Sequence, residues 1–141
     1  MLFDVVVPKE GKLRLIIAGS RLFEDHNLLA KETNKFVRDL GVKEIEVVSG
    51  GARGADILGE YYAKHYKQDC TVIPAKWEEF GKSAGYRRNV EMAEYADACI
   101  VFWDGHSKGT LNMINIAKRY KMPLRIINYN DCENGDCSSI G

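Results

Sequence analysis

The chain has 141 residues, 45% of them hydrophobic and 28% charged, which is the composition of one globular domain with a sizeable core and little room for a second. Its 20 lysines and arginines balance 20 aspartates and glutamates. No global field therefore draws it onto a nucleic-acid backbone or an anionic membrane, and any anion it binds must be held locally. The longest apolar runs, such as Leu15 to Ala18 and Ala98 to Trp103, fall far below the ~20 residues of a membrane span, and no basic stretch followed by a long apolar one opens the chain. A cytoplasmic location is expected.

Strand-like apolar runs alternate with longer segments of helical period, the pattern of a parallel sheet with helices on both faces. The first predicted strand is Leu13 to Ala18. A helix follows from Asp25 or His26 to Leu40, with Leu29, Phe36, Val37 and Leu40 on one face, Asp25 as N-cap and Gly41 just past the end. Glu44 to Val48 is the second strand, and Gly54 to Gln68 the second helix, carrying Ala55, Leu58, Tyr62 and Tyr66 at near-helical spacing. Cys70 to Pro74 is the third strand, Tyr86 to Tyr95 a shorter helix, and Ala98 to Trp103 the fourth strand. The helix Thr110 to Lys121 stops before Pro123, and Leu124 to Asn128 is the fifth strand. All five strands read as buried on both faces. Right-handed crossovers give a three-layer, Rossmann-like sheet of order 3-2-1-4-5, with a ligand crevice outside the carboxyl ends of the first and fourth strands. The core runs from about residue 13 to 128, and residues 129 to 141 form a polar tail.

The four cysteines, Cys70, Cys99, Cys132 and Cys137, form no CxxC pair. Cys70 and Cys99 fall in predicted strands, where a thiol packs as a small hydrophobe; Cys132 and Cys137 sit in the tail, far in sequence from His65 and His106, and no metal site is expected.

The residues with chemical potential follow the strand ends. After the first strand come Gly19, Ser20 and Arg21: a residue that lets a ligand approach, a hydroxyl, and a guanidinium fork suited to phosphate or carboxylate. After the second, Ser49, Gly50, Gly51, Ala52, Arg53, Gly54, Ala55 and Asp56 run straight into a helix. Glycines and a helix N-terminus together are a recipe for a phosphate cradle. The spacing is neither the dinucleotide GxGxxG nor a Walker motif. Beyond the third strand lie Trp77, a candidate for stacking on a base, then Lys82, Arg88 and Asn89. The fourth strand leads into Asp104, Gly105, His106, Ser107, Lys108, Gly109 and Thr110, a second glycine-bearing loop opening a helix. His106 reads as a solvated side chain, whereas Asp104 can accept from a ribose hydroxyl or polarise a water.

Taken in order, these motifs, with Gly81-Lys82-Ser83-Ala84-Gly85, Arg88-Asn89 and Met92 between them, resemble the YspA-like branch of the SLOG superfamily over about residues 13 to 128. That superfamily includes the DprA and LOG families. The resemblance implies a Rossmann-like domain that binds nucleotides, nucleotide derivatives or, as in DprA, single-stranded DNA, and it implies self-association. Tyr61, Tyr62 and Tyr66 offer aromatic surface for such a contact, although core packing explains them as well. LOG enzymes, which hydrolyse the N-glycosidic bond of nucleoside 5′-monophosphates, follow a PGGxGT loop with a catalytic glutamate. In this chain the corresponding loop is followed by Leu111, Asn112 and Met113, so the acid is absent there, and Tyr86 replaces the family's proline after Gly85.

The expected function is therefore binding of a nucleotide or a nucleotide-derived phosphorylated ligand, with no other cofactor. A nucleotide hydrolase stays open as an alternative, with Asp104, Asp56 or Glu60 as candidate acids. Single-stranded DNA binding is the second alternative, and the neutral charge speaks against it.

Overall fold

The computed structural model describes residues 12–130 and 139–140. Strands β1 (Leu13–Gly19), β2 (Ile45–Ser49), β3 (Asp69–Val72), β4 (Ala98–Trp103), β5 (Leu124–Asn128) and β6 (Ser139–Ile140) form one sheet in the order β3-β2-β1-β4-β5-β6. The first five pair in parallel, in the expected order. β6 adds an antiparallel edge, Ile126 opposite Ile140, in a segment read from the sequence as tail. Its two residues are too few to leave a periodic signal.

The helices are α1 (His26–Leu40), α2 (Ala55–His65), α3 (Trp77–Phe80), α4 (Ala84–Tyr95) and α5 (Lys108–Arg119), with a single 3-10 turn, Gly81–Ser83, joining α3 to α4. α1 has its predicted ends: the Asp25 carboxylate accepts from the Leu28 N–H at 2.9 Å, and Gly41 takes the left-handed conformation with φ 73°. α2 ends three residues before the predicted Gln68, because Lys67 turns to positive φ and the Gln68 N–H bonds back to the Ala63 carbonyl. The brief helix α3 and the 3-10 turn bury no side chain, so they carry no apolar stripe from which to predict them.

Alternate residues of β1 feed two cores. Leu13, Leu15 and Ile17 pack with Leu29 and Phe36 of α1 and Leu58 of α2. Ile16 and Ala18 pack with Met92 of α4 and with Met113 and Ile116 of α5. β3 departs from the expectation of burial on both faces. It is the sheet edge, Val72 is 45% exposed, and Cys70 is an exposed thiol rather than a core residue. Cys99, by contrast, is fully buried, and burial pushes its thiol upward. Tyr62 belongs to the core, its hydroxyl donating to Asn34 Oδ1 at 2.6 Å, while Tyr61 and Tyr66 stay exposed. Cys132 and Cys137 lie outside the described residues. No helix among those residues is long and apolar enough to cross a membrane.

Helix α2 crosses β1 at very short range. A Cβ on Gly59 would stand 2.9 Å from both Cβ and Cγ2 of Ile17, a buried side chain with no room to withdraw. Gly59→Ala is expected to lower stability in urea unfolding by about 1–2 kcal/mol, overpacking outweighing the gain in helix propensity.

Candidate functional site

A cavity of about 380 Å³ opens at the carboxyl ends of β1 and β4. Of the residues expected to bind a ligand, Gly19, Ser20, Arg21, Asp56, Arg88, Asn89, Asp104, Ser107, Lys108, Gly109 and Thr110 line it, and so does Trp77. Ser49, Gly50, Gly51, Arg53, Gly54 and Lys82 are not part of this wall, nor is Glu60. The other residues of the wall are Ala18, Leu22, Ala52, Gly85, Met92 and Met113. Met113 reads as ordinary helix core. Leu22 is 81% exposed beside the mouth, where an isolated apolar residue gives no pattern to detect.

The loop after β2 turns its polar groups inward. Its Gly51 N–H donates to Ser49 Oγ at 3.1 Å, and the Ser49 hydroxyl lies 2.8 Å from the Glu60 carboxylate. The Ala52 N–H points at Asp56 Oδ2, and the Gly19 N–H bonds the same carboxylate. Within the loop that reads as a phosphate cradle, Ser49 and Asp56 thus take the Gly51 and Ala52 amides. Gly54 has φ +78°, and a Cβ there would lie 2.2 Å from the Ser20 carbonyl oxygen, so this corner admits glycine alone. Gly50 is needed for a different reason. A Cβ on it would fall 2.7 Å from Asp56 Oδ2 and 2.8 Å from Arg88 Nη1, into the space between an acid and a base.

Arg88 reaches from α4 to this point. Its Nη1 donates to the Gly50 carbonyl at 2.6 Å and its Nε to Asn89 Oδ1 at 2.9 Å. Burial lowers its proton affinity while Asp56 opposes that. Asp56 itself is only 5% exposed. Burial pushes its carboxyl up to about 6, against the Arg88 charge and the Ala52 and Gly19 N–H groups, while Glu60 adds to the rise. Near neutral pH it can hold or release a proton inside the cavity.

The second loop is organised by Asp104. Its Oδ1 accepts from the N–H groups of His106 at 2.8 Å and Ser107 at 2.7 Å, and its Oδ2 lies 2.9 Å from Ser107 Oγ. Ser20, buried at the end of β1, accepts from the Asp104 N–H at 3.1 Å and meets Ser107 Oγ at 2.9 Å, so this hydroxyl joins the two strand ends. Partial burial raises the Asp104 carboxyl, but the bonds from Ser107, His106 and Ser20 outweigh it and hold the group below the ordinary range. An acid so firmly ionised builds a loop better than it donates a proton.

Beyond Asp104, α5 begins. Its first intrahelical bond runs from the Leu111 N–H to the Ser107 carbonyl, so the amides ahead of it, at the cavity wall, have no acceptor within the helix. Thr110 is 6% exposed, lines the cavity, and its hydroxyl has no hydrogen-bond partner among the described residues. Lys108 and Arg21 add cations to the same wall. After this loop, where a LOG enzyme carries its glutamate, Asn112 accepts from Asn89 Nδ2 at 2.9 Å and Met113 packs into the core. Trp77 is 52% exposed at the rim, its Cη2 3.4 Å from where a Cβ on Gly85 would sit.

Fold and motifs together define a SLOG-type Rossmann-like domain. The model of the "YspA, cpYpsA-related SLOG family" matches residues 13–80. The Gene 61 protein of Mycobacterium phage D29 is 37% identical over 128 residues, covering 84% of this chain and 97% of that protein. The chain belongs to this SLOG family. Among solved structures, DNA processing protein A from Streptococcus pneumoniae superposes with a TM-score of 0.62 at 18% identity, over 82% of this chain and 50% of that one. The single-stranded DNA-binding DNA processing protein A of Helicobacter pylori gives 0.58 at 18% identity, over 89% and 74% respectively. This chain therefore spans about half the length of the streptococcal protein, and the likeness is one of fold.

The sign of the Asp56 effect follows from its raised carboxyl. A group held at about 6 in the folded state and near 3.8 when unfolded contributes stability that is complete below about pH 4 and is lost as pH rises through about 6. Asp56→Asn has no such titration. The difference in melting free energy, wild type minus variant, is expected to fall by about 1 kcal/mol between pH 5 and pH 7.5. A difference that stays flat or rises over that interval contradicts a raised Asp56.

Proposed function

We propose that this protein binds a nucleotide or nucleotide-derived phosphorylated ligand, as a sensor or sequestering module, in the cavity at the ends of β1 and β4. The observation that carries the reading is the start of α5. Thr110, a largely buried residue whose accessible hydroxyl has no hydrogen-bond partner among the described residues, and free first-turn amides lie at the same wall as Lys108 and Arg21. Such a corner suits the oxygens of a phosphate, the amides and cations together supplying field and hydrogen bonds. Trp77 at the rim and the apolar Leu22 offer flat and greasy surface for the base. Family membership supports the same ligand class.

Single-stranded DNA is the second reading. It draws on the shared fold with DNA processing protein A, whose Helicobacter form binds single-stranded DNA. A strand crossing the cavity would make several phosphate contacts and bind with a steep dependence on salt.

Calorimetric titration with the common nucleoside 5′-monophosphates, the matching nucleosides and a short oligothymidylate separates these readings. The expected result is binding of at least one monophosphate, about tenfold weaker in Thr110→Val with an unchanged melting temperature, and little binding of the nucleoside. Absence of binding by every monophosphate overturns the proposal. Tight oligothymidylate binding that falls steeply between 50 and 200 mM salt favours the strand. Free base in the titration cell, lost in Asp56→Asn, makes the protein a hydrolase.

A further inference from the structure

Asp56 and Arg88 face each other across Gly50 without touching. A Cβ on Gly50 would lie 2.7 Å from Asp56 Oδ2 and 2.8 Å from Arg88 Nη1, so both groups stand at hydrogen-bonding distance from one point. No ion pair joins them. We infer that the gap between them takes a ribose hydroxyl of the bound nucleotide, which donates to the Asp56 carboxylate and accepts from the Arg88 guanidinium. The inference rests on the nucleotide reading above and deepens it, from a phosphorylated ligand to a ribonucleotide.

Gly50 backs the gap without entering the cavity wall, whereas Asp56 and Arg88 both line the cavity, Arg88 from the face of α4 that also brings Gly85, Asn89 and Met92 to it. Both partners have capacity to spare. The Asp56 carboxylate takes the Ala52 and Gly19 amides, which leaves lone pairs over. Arg88 commits Nη1 to the Gly50 carbonyl and Nε to Asn89, and its other N–H groups have no acceptor among the described residues. The pairing of an acid with a base selects what enters. A phosphate would be repelled by the carboxylate, and an apolar group would leave both charges unmet, whereas a hydroxyl donates on one side and accepts on the other. Asp104, the other acid of the wall, is taken up by the His106 and Ser107 amides and the Ser107 hydroxyl.

The test is a calorimetric titration of the full chain with whichever nucleoside 5′-monophosphate binds best and with its 2′-deoxy and 3′-deoxy analogues. At least one analogue is expected to bind about ten- to a hundredfold more weakly than the ribonucleotide, because its loss leaves two charged groups without their partner. Two variants locate the effect. Asp56→Asn keeps the shape, but with its oxygen held by the Ala52 and Gly19 amides it turns an NH2 group toward Arg88, and Gly50→Ala fills the gap with a methyl group. In each, checked for folding by thermal melting, the ratio of affinities is expected to fall close to one. Equal affinity of all three compounds in the wild type overturns the inference while leaving the nucleotide site standing. A ratio that persists in either folded variant also overturns it, by placing the hydroxyl contact elsewhere. If no monophosphate binds, the nucleotide reading fails and takes this inference with it.

Discussion

The buried carboxylate of Asp56 is the constraint around which the site is arranged. A carboxylate with 5% exposure is tolerated only where donors surround it, and here they come from three separate parts of the chain: the Gly19 amide ending β1, the Ala52 amide in the loop after β2, and the charge of Arg88 on α4. Each partner fixes a different segment against the same point. Gly50 must lack a side chain so that acid and base can approach, and Gly54 must turn at positive φ so that α2 can begin under the Ser20 carbonyl. The shape of the first glycine loop thus follows from what it wraps, and what it wraps is part of the protein.

This arrangement divides the labour between two loops that look alike in composition. The loop after β2 has its amides engaged by Ser49 and Asp56, whereas the first turn of α5 keeps its amides and the Thr110 hydroxyl open to the cavity. On the proposed reading a phosphate is therefore directed to one side of the crevice, and the other side presents it with an acid. Because burial brings that acid close to neutrality, its repulsion toward an incoming anion weakens as pH falls through about 6.

The order of the sheet was legible because β1, β2, β4 and β5 are short, apolar and separated by segments of helical period, and parallel order follows once crossovers are right-handed. β3 was legible as a strand but not as an edge. Its Cys70-Thr71-Val72-Ile73 run has the composition of a buried strand, but among the described residues no strand lies beyond it, and Val72 and Cys70 are exposed. Most of the candidate site was also legible, since α/β folds gather the residues after each strand at one crevice. What the residue types did not disclose is which loop is already satisfied. Ser49, Gly50, Gly51 and Gly54 carry the composition of a phosphate cradle, and only the position of Asp56 one turn later, folded back onto the amides, changes their role. Asp104 is the parallel case: a loop carboxylate that reads as chemistry and acts as a brace, because His106 and Ser107 turn their amides onto it.

The charge balance of the whole chain then acquires a local meaning. With zero formal net charge, long-range steering is weak, and affinity has to arise within a few ångströms, from donors already oriented before a ligand arrives. Arg88 is held by Gly50 and Asn89, and the turn that opens α5 is held by Asp104 and Ser20. One acid of the wall, Asp104, thus keeps the amides ahead of α5 in place. A more basic cavity would attract anions from farther away, but with less to fix where its donors stand. On the proposed reading, recognition rests on preorganised hydrogen bonds in a small open cavity, an arrangement that suits a compact phosphorylated molecule.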